Sequence, residues 1–179
     1  VSAGNDGPAC STIADPLALY ASAFTVGAVN AADDLAFFSS AGPVTADGSG
    51  RIKPDIAAPG VDVWSAYPGG GYAQMSGTSM AGPHVAGVVA LMWSANPQLI
   101  GDIERTAQIL RQTARPFSGD LESGALVADA AQPDAALAAA TSASGACILA
   151  ANAGARPNNL VGYGVVDAYA AVRQALAGE

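Results

Sequence analysis

The sequence predicts an α/β domain with a parallel sheet, and three observations carry that prediction. Short β-branched or aromatic runs are bounded by Gly and Pro, one small and apolar run is far too long for a strand, and two later stretches are helical in pattern. In chain order, FTVGAV (24–29) and VDVWSAY (61–67) read as buried strands of a parallel sheet. FFSSAGP and GRIKPDIAAPG, between them, read as loops and short strands. From Ser79 to Asn96 the sequence SMAGPHVAGVVALMWSAN predicts a helix buried on nearly all sides. Thr78 is placed to cap its start, Pro83 is tolerable only near the first turn, and Asn96-Pro97 closes it. DIERTAQILRQTA (102–114) predicts a second helix with Ile103, Ala107, Ile109 and Leu110 on one face. Residues 115–159 are rich in Ala, Ser and Gly without clear periodicity beyond a short helical pattern in QPDAALAAA, and read as an insertion or surface excursion. VVDAYAAVRQALA (165–177) is again helical.

Composition narrows the function. A chain of 179 residues, 51% hydrophobic and 12% charged, is long enough for one core that buries roughly 70% of the surface its unfolded chain exposes. A net charge of −8 without any Lys/Arg cluster argues against nucleic acid and anionic membrane surfaces as partners. No apolar run approaches the roughly 20 residues that span a bilayer, and the start, VSAGNDG, is not a targeting segment. It reads as the end of a strand, so the chain is expected to be a piece of a longer polypeptide. Cys10 and Cys147 have no second ligand beside them, which disfavours zinc. Two buried thiols or one long-range disulfide remain, and a composition that fits a secreted protein favours the disulfide.

The chemistry centres on MSGTSMAGPHVAG (75–87). A serine in the first turn of a helix lies at the positive end of the macrodipole, among backbone N–H groups without intrahelical partners, where an oxyanion is stabilised. Gly77, Ala81 and Gly82 keep bulk away from Ser79. Taken alone, SGTS also reads as an ordinary capping sequence. The chain's one histidine, His84, is no base for Ser79. Five residues of helix turn it by about 500°, leaving the two roughly 140° apart around the axis and roughly 7.5 Å along it. His84 reads instead as a buried residue with a structural hydrogen bond, and no Ser-His-Asp triad can form within these residues.

GTSMAGPHVAG (77–87) resembles the serine motif of the subtilisin-like serine peptidases, and SAGNDGP (2–8) resembles that family's segment carrying the oxyanion-hole asparagine. FTVGAV, FSSAGP, KPDIAAPG and GYGVVDAYAAV are similar to further family segments, in the same order. The likeness covers nearly the whole chain apart from residues 115–159. The Cys10 region and CILAANAGARPNNLVGYG look closest to the bacillopeptidase F-like branch.

This resemblance implies part of a three-layer fold, a mainly parallel sheet flanked by helices, with the N-terminal half missing. It implies that Ser79 attacks the scissile carbonyl of a polypeptide and that the Asn5 amide and the Ser79 N–H bind the oxyanion. Gly4 and Ala14 would line the pocket for the residue before the scissile bond, and Asp15-Pro16 falls where the family often has a cis peptide. No cofactor is required, but the family places a weak calcium or monovalent cation site near Asp55, with backbone carbonyls around Tyr20 and Ala23; a buried or N-capping carboxylate is the simpler reading of Asp55.

The family's aspartate and histidine motifs lie upstream and are absent here. The chain alone is therefore expected to lack peptidase activity and, with apolar faces uncovered, to self-associate. The alternatives are a degenerate protease half acting as a binding or regulatory module, and an α/β-hydrolase. The second fails, because Ala81 stands where G-x-S-x-G needs glycine and no histidine follows at the required distance.

Overall fold

β-Branched and small residues build the centre of the molecule, a computed structural model described over residues 1–7, 9–117 and 156–178. Strand β1 (Val26–Val29) pairs in parallel with β2 (Ile56–Pro59), Val26 opposite Ile56 and Val29 opposite Pro59. The chain at Ser2 runs parallel beside Val26, and at Val165 parallel beside Ala57, so the two terminal segments extend the sheet on either side. Both strands lack polar alternation because both faces are covered. Val26, Ala28, Ile56 and Ala58 face one hydrophobic cluster, while Val29 and Ala57 face a second with Leu35, Leu160, Val161 and Val165. The fold is α/β, as the sequence predicts. Among the described residues the helices cover the first face, and loops cover the second.

Helix α1 (Thr78–Ala95) lies on the first face through Ala81, Val85, Val88 and Met92. The helix expected to be buried nearly all round is buried on one side only. Pro83, His84, Gly87, Ala90 and Leu91 are exposed, since the apolar outer face has no partner among the described residues. Thr78 is not its cap. Gly77 holds the N-cap position and Thr78 is the first helical residue, its hydroxyl turned towards residues 4 and 5. Pro83 lies in the second turn rather than the first, where it lacks the N–H that would bond the Ser79 carbonyl. Asn96 ends the helix, its N–H donating to Met92 O and its side chain accepting from Gln98 N.

Helix α2 (Ile103–Thr113) is capped by Asp102, and α3 (Ala168–Ala177) by Asp167, each carboxylate accepting from a backbone N–H three residues on. α3 packs against α1 and α2. Ile103, expected on the buried face of α2, is 63% exposed. Thr106 takes that place, because its hydroxyl donates to Asp102 O and accepts from Trp93 Nε1 and is thereby satisfied inside.

VDVWSAY departs most from expectation. β3 (Val63–Tyr67) is no buried parallel strand but pairs antiparallel with β4 (Gly71–Met75), with Trp64 opposite Gln74. Pro68-Gly69-Gly70 returns the chain at once, Gly69 and Gly70 taking φ of 94° and 84°, so the next segment becomes the partner. Trp64 and Tyr72 are 67% and 76% exposed.

Asp15-Pro16 is likewise not cis. Among the described residues the cis bonds are Gly42-Pro43, Lys53-Pro54 and Arg156-Pro157. The Asp15 carbonyl accepts from Leu19 N, which sets Pro16 at the second position of a turn, where its fixed φ fits. The edges of the 115–159 segment join the core. Arg115 pairs with Asp33 and forms a bridge with Val165, and Asn158 forms one with Gly162. Residues 118–155, with QPDAALAAA and Cys147, lie outside the described residues.

Candidate active site

Close approach of small residues brings the head of α1 down onto the sheet. Gly77 N donates to Gly60 O at 2.8 Å, and a Cβ on Gly60 would stand 2.7 Å from Ala28 Cβ and 2.8 Å from Gly77 O. Glycine at 60 is therefore a packing requirement. Ser79, the second residue of the helix, is exposed at this head.

The N-terminal segment pairs with β1, Ala3 N donating to Val26 O, and so carries Gly4 and Asn5 to the same place. Gly4 has φ 107°, and a Cβ there would meet Ser40 Oγ at 2.8 Å. Its N–H donates to Thr78 Oγ1 at 3.2 Å. Thr78 in turn gives Asn5 Oδ1 two donors, its backbone N–H and its hydroxyl, each at 3.0 Å, the hydroxyl proton being shared with Gly4 O at 3.3 Å. A backbone N–H can only donate, so the atom facing it must be the amide oxygen. The Asn5 nitrogen is left as the outward end. The position a Cβ on Gly77 would take lies 3.6 Å from Asn5 Nδ2, 3.6 Å from Met80 Sδ and 3.7 Å from Ser79 N, so both donors border one small volume beside Gly77, with the Met80 sulfur at its side.

Asn5 thus supplies the cap expected of Thr78, accepting from an orphan amide of the first helical turn. The link from Thr78 to Asn5 is the feature of this place that sequence reading misses. Its only signal is a hydroxyl placed one residue before the serine, which any capping sequence would also show.

An open groove of about 650 Å³ runs from Ser79 between α1 and β3, lined among others by Val63, Trp64, Met80, His84 and Leu91. His84 is exposed rather than buried, and its Nδ1 lies 2.9 Å from Met80 O on its own helix. No base for Ser79 arises from it. Ala14 is also exposed; it follows Thr12 and Ile13, whose N–H groups both donate to Ala41 O. Ser40 N donates to Gly4 O, so residues 40 and 41 tie the Gly4 and Ala14 segments to one strip of backbone.

The residues at the expected cation site do not fit a metal. Asp55 Oδ2 accepts from Lys53 Nζ at 2.5 Å and from Thr25 N at 2.8 Å, and Oδ1 accepts from Arg111 Nη2 at 2.9 Å. Lys53 Nζ also donates to Ala23 O, and Tyr20 O accepts from Ala23 N. A metal bridging Ala23 O and Asp55 would meet the ammonium already there. Two unit charges about 4 Å apart repel by about 4 kcal/mol at an effective dielectric of ~20, and a divalent ion by twice that. Among the described residues no cluster of three or more His, Cys, Asp or Glu could hold a metal. Cys10 is disulfide-bonded, and Cys147, the partner expected from the sequence, lies outside the described residues.

The Subtilase family profile matches residues 1–164. Bacillopeptidase F of Bacillus subtilis (strain 168) is 36% identical over 162 residues, 90% of this chain but 9% of that protein. Subtilisin of Bacillus pumilus is 44% identical over 115 residues, 60% of this chain and 38% of that protein. The chain thus spans well under half the length of these relatives. The fold is shared with the prenylagaramide maturation protease PagA, at TM-score 0.59 and 22% identity over 96% of this chain and 48% of that one.

Proposed function

The chain belongs to the subtilase family, and from that premise we propose that it carries the nucleophile and the oxyanion hole of a serine endopeptidase whose general base comes from residues outside it. The convergence of Asn5 Nδ2 and the Ser79 N–H beside Gly77 carries this reading. Ser79 Oγ would add to the scissile carbonyl of a polypeptide, and the two donors would take the negative charge that develops on its oxygen. The acyl-enzyme on Ser79 would then be hydrolysed. Gly4 and Ala14 would flank the side chain preceding the scissile bond. Both segments hang on the backbone of residues 40 and 41, which would keep the pocket's width fixed.

Ser79 needs a base within hydrogen-bond reach, and His84 is bound to its own helix. In this proposal a histidine and an aspartate from the other half of the domain complete the site, seated in the groove between α1 and β3. A disulfide at Cys10, with Cys147 as its proposed partner, together with sparse charge, supports a secreted protein. No helix among the described residues is long and apolar enough to cross a membrane.

A fluorophosphonate probe tests the proposal on the chain alone and on the polypeptide carrying the residues encoded upstream, with peptide mapping of the adduct. Labelling of the longer protein at Ser79, with none of the chain alone, is the expected result. Failure of the folded longer protein to react would favour the binding-module alternative.

A further inference from the structure

We infer that Lys53 is a tethered structural cation that fixes the loop of residues 17–24 in place of a bound metal ion. One carbonyl of the loop, Ala23 O, shares its donor with a carboxylate, and that donor is a cation. Ala23 O and Asp55 Oδ2 both accept from Lys53 Nζ, and the Lys53 side chain is 3% exposed, buried as a free lysine never is. Asp55 receives a second cation, Arg111, whose guanidinium lies over the rings of Phe24 at 5.3 Å and Tyr163 at 5.9 Å. A third, Arg51, donates to Leu19 O from the neighbouring strip. Thr25 closes the loop from within, its hydroxyl donating to Ala18 O and its N–H to Asp55 Oδ2.

The two ligand types that calcium prefers, a carboxylate and backbone carbonyls, are thus present, and each is met by a cation on a side chain. The backbone sets this up. Lys53 and Asp55 lie on either side of Pro54 in the strip that becomes β2, so ammonium and carboxylate belong to one stretch of backbone and both reach the loop. A tethered cation has no dissociation constant. The loop, which begins just after Ala14, should therefore hold its shape equally well in calcium, potassium or chelator.

Amide exchange of residues 18–25, followed by NMR or mass spectrometry on the whole chain, tests this in EDTA, millimolar CaCl₂ and KCl, with choline chloride matching ionic strength. Wild-type exchange should change by less than about twofold among these conditions, because no metal links to the closed loop. Lys53→Ala should speed exchange of the Ala23 and Thr25 amides by about tenfold or more, and calcium or potassium should slow it again in this variant only. Should that variant fail to fold, Lys53→Gln keeps a donor for Ala23 O while removing the charge, with a smaller loosening and the same cation response expected. A metal-dependent slowing in wild type would overturn the inference. So would variants whose loop is not loosened, or is loosened with no cation able to restore it.

Discussion

Thr78 acts on the proposed chemistry at second hand, by fixing which end of the Asn5 amide faces Ser79. Removing Asn5 should therefore cost more than removing the hydroxyl that aims it. Measured on the polypeptide with the complete site, Asn5→Ala should lower kcat by about 10²- to 10³-fold with little change in KM, a magnitude carried over from subtilisin, a relative of this chain. Thr78→Ala removes the hydroxyl's hydrogen bond to Asn5, worth about 1 kcal/mol, along with the one it accepts from Gly4 N, and should lower kcat by about fivefold to tenfold, whereas Thr78→Ser should retain most of it. Equal losses in the two alanine variants would mean that Thr78 does more than orient Asn5. At this scale the sequence singles out Ser79 and Asn5, on which the proposal rests, because each lies in a motif with its own chemistry. Thr78 and Lys53 it does not single out. A Thr before a Ser at a helix start reads as a cap, and Lys53's role depends on an Ala23 carbonyl 30 residues away that only the folded backbone supplies.

Elements differ in how far their own residues determine them. α2 is read within a residue at each end because its apolar and charged faces separate, whereas α3 is read three residues too early, at Val165, because its start is set by the capping Asp167. α1 has neither; it is apolar on all sides, and its sequence cannot tell which face meets this sheet. The structure assigns that role to the Ala81, Val85, Val88 and Met92 side. Met92 is fully buried there, so Met92→Ala should destabilise the chain by about 2 to 5 kcal/mol in urea titration, through lost transfer energy and the cavity left behind. Leu91→Ala, one position round the helix and 55% exposed, should cost well under half as much. For α3, Asp167→Ala removes the acceptor for Ala170 N and should cost about 1 kcal/mol. VDVWSAY departs from expectation for a reason of the same kind as α1. An apolar run signals that something will cover it, and the turn at 68–70 makes that something a hairpin partner on its edge and nothing described on its face.

Among the described residues the sheet is covered on both faces while one side of the molecule is left uncovered. Leu91, Pro83 and Gly87 on α1 and Trp64 on β3 border the same groove as Ser79, while Tyr67, Tyr72 and Met75 are exposed along the hairpin. Large contiguous apolar surface is rare on soluble monomers and marks a place where another surface belongs. In the proposed enzyme that surface is the other half of the domain, and in the isolated chain a second copy can take its place. The net charge of −8 opposes such pairing at long range, but it is screened beyond roughly 10 Å at 0.1 M salt and cannot prevent apolar contact. The isolated chain should thus associate more strongly as salt rises, the opposite of an interface built on ion pairs. Light scattering on a sizing column across a concentration series checks this. Leu91→Glu with Trp64→Glu should return the chain to monomer without lowering its urea midpoint, because neither side chain is in the core. If the double variant stays associated, the contact lies elsewhere, and the groove beside Ser79 is open to solvent in the chain alone.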